Sequence, residues 1–90
     1  MRLKNNEDLY EFLLGFAEEL QARGEAQLAK EVIFASRFAN GSASEFLHEA
    51  HHVLTKIEQS SPAALTPEES RNLKDVIMQI DEAFRTIGGA

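Results

Sequence analysis

Apolar residues recur every three or four positions through most of this 90-residue chain, in four stretches separated by short polar or glycine-containing segments. Because an α-helix turns about 100° per residue, this spacing places the apolar side chains along one side of a helix. No segment has the apolar–polar alternation of a β-strand. The pattern therefore predicts an all-α protein with helices at about residues 7–23, 26–39, 43–59 and 67–87.

Polar residues mark where three of these helices begin. Ser42–Glu45 and Thr66–Glu69 each form a capping-box pattern, in which the hydroxyl and the carboxylate satisfy each other's free backbone amides. Either Asn5 or Asn6 can cap the first helix. The starts of the first, third and fourth helices are thus specified locally.

Glycine and asparagine mark where helices end. Gly24 follows the first helix, Asn40–Gly41 the second and Gly88–Gly89 the fourth. These residue types readily adopt the left-handed conformation that closes many helices. Helices joined by such short connections tend to pack antiparallel. We therefore predict a compact up-down four-helix bundle in a single helical domain, residues 1–90.

Six small or apolar positions of the first predicted hairpin have a distinctive spacing: Phe16, Ala17, Leu20, Gly24, Ala29 and Ile33. The spacing resembles part of a tetratricopeptide repeat, in which small residues let two helices pack closely. The resemblance implies an alternative architecture of two helical hairpins in an open, repeat-like arrangement. It covers one hairpin, lacks the aromatic signature positions and has no second copy about 34 residues later.

Composition narrows the classes of partner and chemistry. Nine Lys and Arg stand singly against fifteen Asp and Glu, for a net charge of −6, so neither nucleic acid nor an anionic membrane is an expected partner. The absence of cysteine excludes disulfides and thiolate metal sites. No apolar run approaches the roughly 20 residues that span a bilayer, and no leader pattern precedes the first helix. We expect a cytoplasmic protein.

The third helix carries all the histidines of the chain, among glutamates. His48 and His52 are four residues apart, and Glu45 and Glu49 lie on the same strip, so these four are the candidate ligands for a zinc, nickel or copper ion. Their Glu-x-x-His spacings resemble the di-iron carboxylate pattern of helical bundles, which requires a second such helix. Helix periodicity places this strip opposite the apolar side, so a solvated polar face is the preferred interpretation and no metal site is predicted.

The same helix also resembles the reactive segment of four-helix phosphotransfer domains. The segment His52–Lys56 aligns with their His-x-Leu-Lys-Gly motif, and the resemblance implies a phosphoryl-accepting histidine. Thr55 stands in place of the motif's lysine, and Lys56 in place of its glycine. A histidine-centred site for metal or phosphoryl transfer is therefore the alternative hypothesis for function.

Other catalytic patterns are missing. The sequence contains no glycine-rich phosphate loop and no Gly-x-Ser-x-Gly elbow. We expect neither enzymatic activity nor a cofactor.

The second helix has more apolar surface than one neighbour can cover. Val32–Ala39 is apolar on nearly every side, and Phe34 and Phe38 project away from its main stripe. Either the two rings pack inside the monomer, or a second protein covers them together with Ile33, Tyr10 and Leu14. We favour the second alternative. It predicts a non-catalytic interaction or assembly module that binds protein, as a homodimer or with a larger partner.

Overall fold

The computed structural model describes residues 2–87, and their side chains through residue 86. Its four α-helices are α1 (Asn6–Ala22), α2 (Ala26–Ser36), α3 (Ala43–Ser60) and α4 (Pro67–Ile87). Two short 3-10 helices, Arg37–Asn40 and Pro62–Ala64, follow α2 and α3. No strand occurs among these residues. The all-α prediction is confirmed, and the first three helices deviate from their predicted bounds by one to three residues.

The predicted capping residues begin α1, α3 and α4. The Asn5 side chain accepts a hydrogen bond from the Asp8 amide at 2.9 Å, so Asn5 rather than Asn6 caps α1. The box before α4 is reciprocal: the Glu69 amide donates to Thr66 Oγ1 at 3.1 Å, and the Thr66 amide donates to Glu69 Oε1 at 2.9 Å. Before α3, Ser42 Oγ accepts from the Glu45 amide at 3.4 Å.

The two glycine-marked turns close in different ways. Gly24 has a φ of 87°, as expected for a left-handed helix terminus. Gly41 has a φ of −108°, and Asn40 is not left-handed either, so the predicted left-handed end of the second helix is wrong. The chain instead tightens into the 3-10 helix Arg37–Asn40 before it turns. The predicted stop at Gly88–Gly89 lies outside the residues that the structure describes.

One apolar core joins all four helices. Its members are Leu9, Leu13, Phe16, Ala17, Leu20, Ala29, Val32, Ala35, Phe46, Leu47, Ala50, Val53, Leu54, Ile57, Leu73, Val76 and Ile80. They follow the helical spacing found in the sequence, because a helix buries one stripe of side chains. Burial of this stripe from each helix is the main source of stability.

α1 and α4 run antiparallel, and side chains join them at both ends. Near the start of α1, the Leu3 amide donates to Gln79 Oε1 at 2.8 Å, and just past its end Arg23 contacts Glu69. The molecule measures 40 × 24 × 21 Å, as expected for helices stacked side by side. The up-down four-helix bundle is confirmed, and the open arrangement of two hairpins is wrong. No helix of the described chain combines the length and apolarity needed to cross a membrane.

Candidate functional site

An apolar groove runs along the outer side of the hairpin formed by α1 and α2, and encloses about 840 Å³. Its apolar lining residues are Leu14, Ala17, Ala22, Ala29, Ile33 and Phe34. Its polar lining residues are Glu18, Gln21, Lys30 and Arg37. We call this feature the α1–α2 groove. Ala17 and Ala29 are buried, and their short side chains leave the space between the helices unfilled.

The groove contains three of the five residues predicted to form an interface. Leu14, Ile33 and Phe34 line it, whereas Tyr10 and Phe38 lie outside it. Ile33 and Phe38 also pack in part against the core. Phe34 is 51% exposed and Tyr10 36% exposed. The apolar surface that the structure brings together is thus smaller than the one predicted from the sequence, and it is centred on Phe34.

Phe34 and Phe38, which would share one side of a regular helix, have different environments. Their rings are in edge contact, with centroids 5.4 Å apart. Phe38 falls in the 3-10 segment, where about 3.0 residues per turn replace about 3.6, so it leaves the stripe that it would share with Phe34. Phe38 therefore packs partly on the core, and Phe34 remains outside.

A second hollow, between α2 and α3, adjoins the other side of Phe34. Its lining includes His52 and Glu49, and its polar contact is an ion pair between Lys56 Nζ and Glu31 Oε1 at 3.0 Å. The hydrogen bond from Lys56 holds the pKa of the Glu31 carboxyl below its ordinary value, against a smaller opposing effect of burial. Phe34 consequently forms an apolar ridge between a polar hollow and the α1–α2 groove.

The histidines of α3 point to different neighbours. His48 and His51 lie against the Phe84 ring of α4, at centroid distances of 6.2 and 6.1 Å, and His51 Nε2 is 2.9 Å from Asp81 Oδ1. His52 instead faces α2.

The four candidate ligands therefore do not converge. Across residues 2–87, no three histidine, aspartate or glutamate side chains are placed to share a metal ion. His48, His52, Glu45 and Glu49 remain four separate side chains along one helix.

A two-bond ion pair joins the end of α1 to the start of α4. Arg23 donates to both Glu69 oxygens, at 2.9 and 2.7 Å, and to the Ala64 carbonyl at 3.1 Å. Burial raises the pKa of the Glu69 carboxyl, but hydrogen bonds from Arg23 and Thr66 outweigh this effect, so the pKa lies below its ordinary value. Glu69 thus both caps α4 and anchors it to the end of α1.

The sequence pattern predicted the capping function of Glu69 but not its pairing with Arg23. The charged rim of the groove, Glu18, Lys30 and Arg37, was not predicted either. A buried charge needs a partner, but the pattern along one helix does not specify a partner on another. The buried alanines Ala17 and Ala29, which the repeat-like spacing had singled out, were the available signal for a groove.

No protein-family model, curated protein or solved structure matches this chain.

Proposed function

We propose that this protein is a non-catalytic helical interaction module that binds protein through the α1–α2 groove. The observation that carries the proposal is the 51% exposure of Phe34 beside a groove of about 840 Å³. A large exposed aromatic side chain next to unfilled apolar space is typical of a surface that another protein covers.

The chemistry of the lining favours the binding of an apolar surface. Six of its ten residues are apolar and offer alkyl and aromatic carbon. A groove between two helices suits the side chains of a third helix, which project at every third or fourth residue. The proposed ligand is therefore a protein that presents an apolar helical surface.

Photo-crosslinking in the native host tests this function. A photoreactive phenylalanine analogue replaces Phe34 or Leu14 in the full chain, and the matched control replaces Met78, which is 56% exposed on α4. We expect a protein adduct from positions 34 and 14 but not from position 78. Absence of adducts at the groove positions, or equal adducts at position 78, would contradict the proposal.

A further inference from the structure

The two sides of the α1–α2 groove carry opposite charges. Glu18 lies on the α1 side, whereas Lys30 and Arg37 lie on the α2 side. Each of the three is exposed, and within residues 2–87 none forms an ion pair or a side-chain hydrogen bond. The chain itself therefore leaves one acidic and one basic edge beside an apolar surface.

A surface with opposite charges on its two sides can pair with itself. A twofold axis within the interface can run along the helices or across them. An axis along the helices places α1 of each copy against α2 of the other, so Glu18 faces the basic edge. An axis across the helices places α1 against α1 and α2 against α2, so the two acidic edges lie on one side of the interface and the two basic edges on the other. Since like charges across an interface are unfavourable, the first arrangement is favoured.

The shape of the groove favours the same arrangement. Phe34 stands on the α2 side, and with the axis along the helices it faces α1 of the second copy. There Leu14 and the short, buried Ala17 line unfilled space. Each copy thus supplies one exposed aromatic ring and one groove to receive a ring, which is the complementarity that a twofold interface requires.

We propose that the partner in the α1–α2 groove is a second copy of this chain. In this homodimer α1 of each subunit packs on α2 of the other, Phe34 enters the opposite groove, and Glu18 faces the basic edge that carries Lys30 and Arg37. The proposal rests on the function proposed above and specifies its partner.

Sedimentation equilibrium of charge-reversal variants tests it. The variants are Glu18→Lys, Lys30→Glu/Arg37→Glu, and the chain with all three changes, with Arg85→Glu on α4 as a control for net charge. We expect a wild-type dimer that each partial reversal weakens about tenfold or more. The triple change restores the dimer because it exchanges the charges of the two edges, which stay opposite in sign. Arg85→Glu should leave the dimer unchanged.

Mixing the two partial-reversal variants provides an independent readout. The mixture should form a heterodimer as tight as the wild-type dimer, since both edges are again opposite. A wild-type dimer that the partial reversals do not weaken would overturn the arrangement, as would a mixture much tighter than the wild type, which an α1–α1 interface predicts.

The outcome for the wild type separates this inference from the proposed function. A wild-type chain that stays monomeric at about a hundred micromolar refutes the homodimer. If position 34 still yields adducts with a different protein in the host, the interaction function stands with another partner. If it yields none, both proposals fail. Circular dichroism of each variant verifies that the helices are retained.

Discussion

Phe16 and Phe34 lie on neighbouring helices of one hairpin, and their environments differ completely. Phe16 is 3% exposed on the inner side of α1, while Phe34 is 51% exposed on the outer side of α2. Phe16 belongs to the main apolar stripe of its helix, whereas Phe34 projects away from the main stripe of α2. The inner stripe is covered by α3 and α4, but residues 2–87 contain no further helix to cover the outer one. The hairpin therefore stabilises the monomer with one face and leaves the other available for association.

The largest expected effect separates the two faces directly. Phe16→Ala should destabilise the monomer by about 3 to 5 kcal/mol, because it leaves a cavity in a close-packed core. Phe34→Ala should cost about 1 kcal/mol or less, since half of that ring is already in water. Urea denaturation of both variants at a concentration that keeps them monomeric measures the difference. Equal losses would show that the outer face is also part of the monomer core.

The inner face also depends on the contact that holds α1 to α4. Arg23→Met keeps the aliphatic stem but leaves the Glu69 carboxylate buried without its partner, so we expect a loss of about 2 to 3 kcal/mol in unfolding free energy. The matched control is Arg2→Met, whose 4.0 Å pair with Glu82 is mostly exposed and should contribute less than about 0.5 kcal/mol. If chemical denaturation gives both changes the same loss, the Arg23–Glu69 pair stabilises the fold no more than the exposed Arg2–Glu82 pair does.

Acid should weaken the same contact selectively. The folded pKa of Glu69 is lowered relative to its ordinary value of 4.5, so its contribution is present above pH 4.5 and is lost as the pH falls through the folded pKa. The difference in unfolding free energy between wild type and Glu69→Gln should therefore shrink from about pH 6 to about pH 3. Denaturation curves across this range measure it. A difference that does not change with pH would mean that the Glu69 charge does not contribute.

The smallest effect concerns a position on the solvent-facing side of α1. A Cβ added at Gly15 would meet no atom within 4 Å, so Gly15→Ala should stabilise the monomer by about 0.5 to 1 kcal/mol through helix propensity alone. Gly24→Ala is the control, because Gly24 has a φ of 87° and alanine there should destabilise by about 1 kcal/mol or more. Thermal denaturation that gives the two changes the same sign would contradict this account.

Much of the bundle could be read from local patterns. The caps of α3 and α4 and the turn at Gly24 were predictable because each depends on residues within one turn of a helix, although only the box before α4 forms both of its hydrogen bonds. The end of α2 was not, because the 3-10 segment that redirects Phe38 has no equally clear local signal. Phe38 was therefore included among the five predicted interface residues, of which the structure places three in the groove.

The sequence by itself determined the helical class, the number of helices and the apolar side of each, since helical periodicity and capping act over a few residues. Only the tertiary structure decided which apolar sides are covered. It brought Arg23 to Glu69 across 46 positions of the chain, and left Phe34 beside an open groove with Glu18 on one edge and Arg37 on the other. The physical reason is that periodicity orients side chains about one helix axis, whereas burial depends on which helix packs alongside.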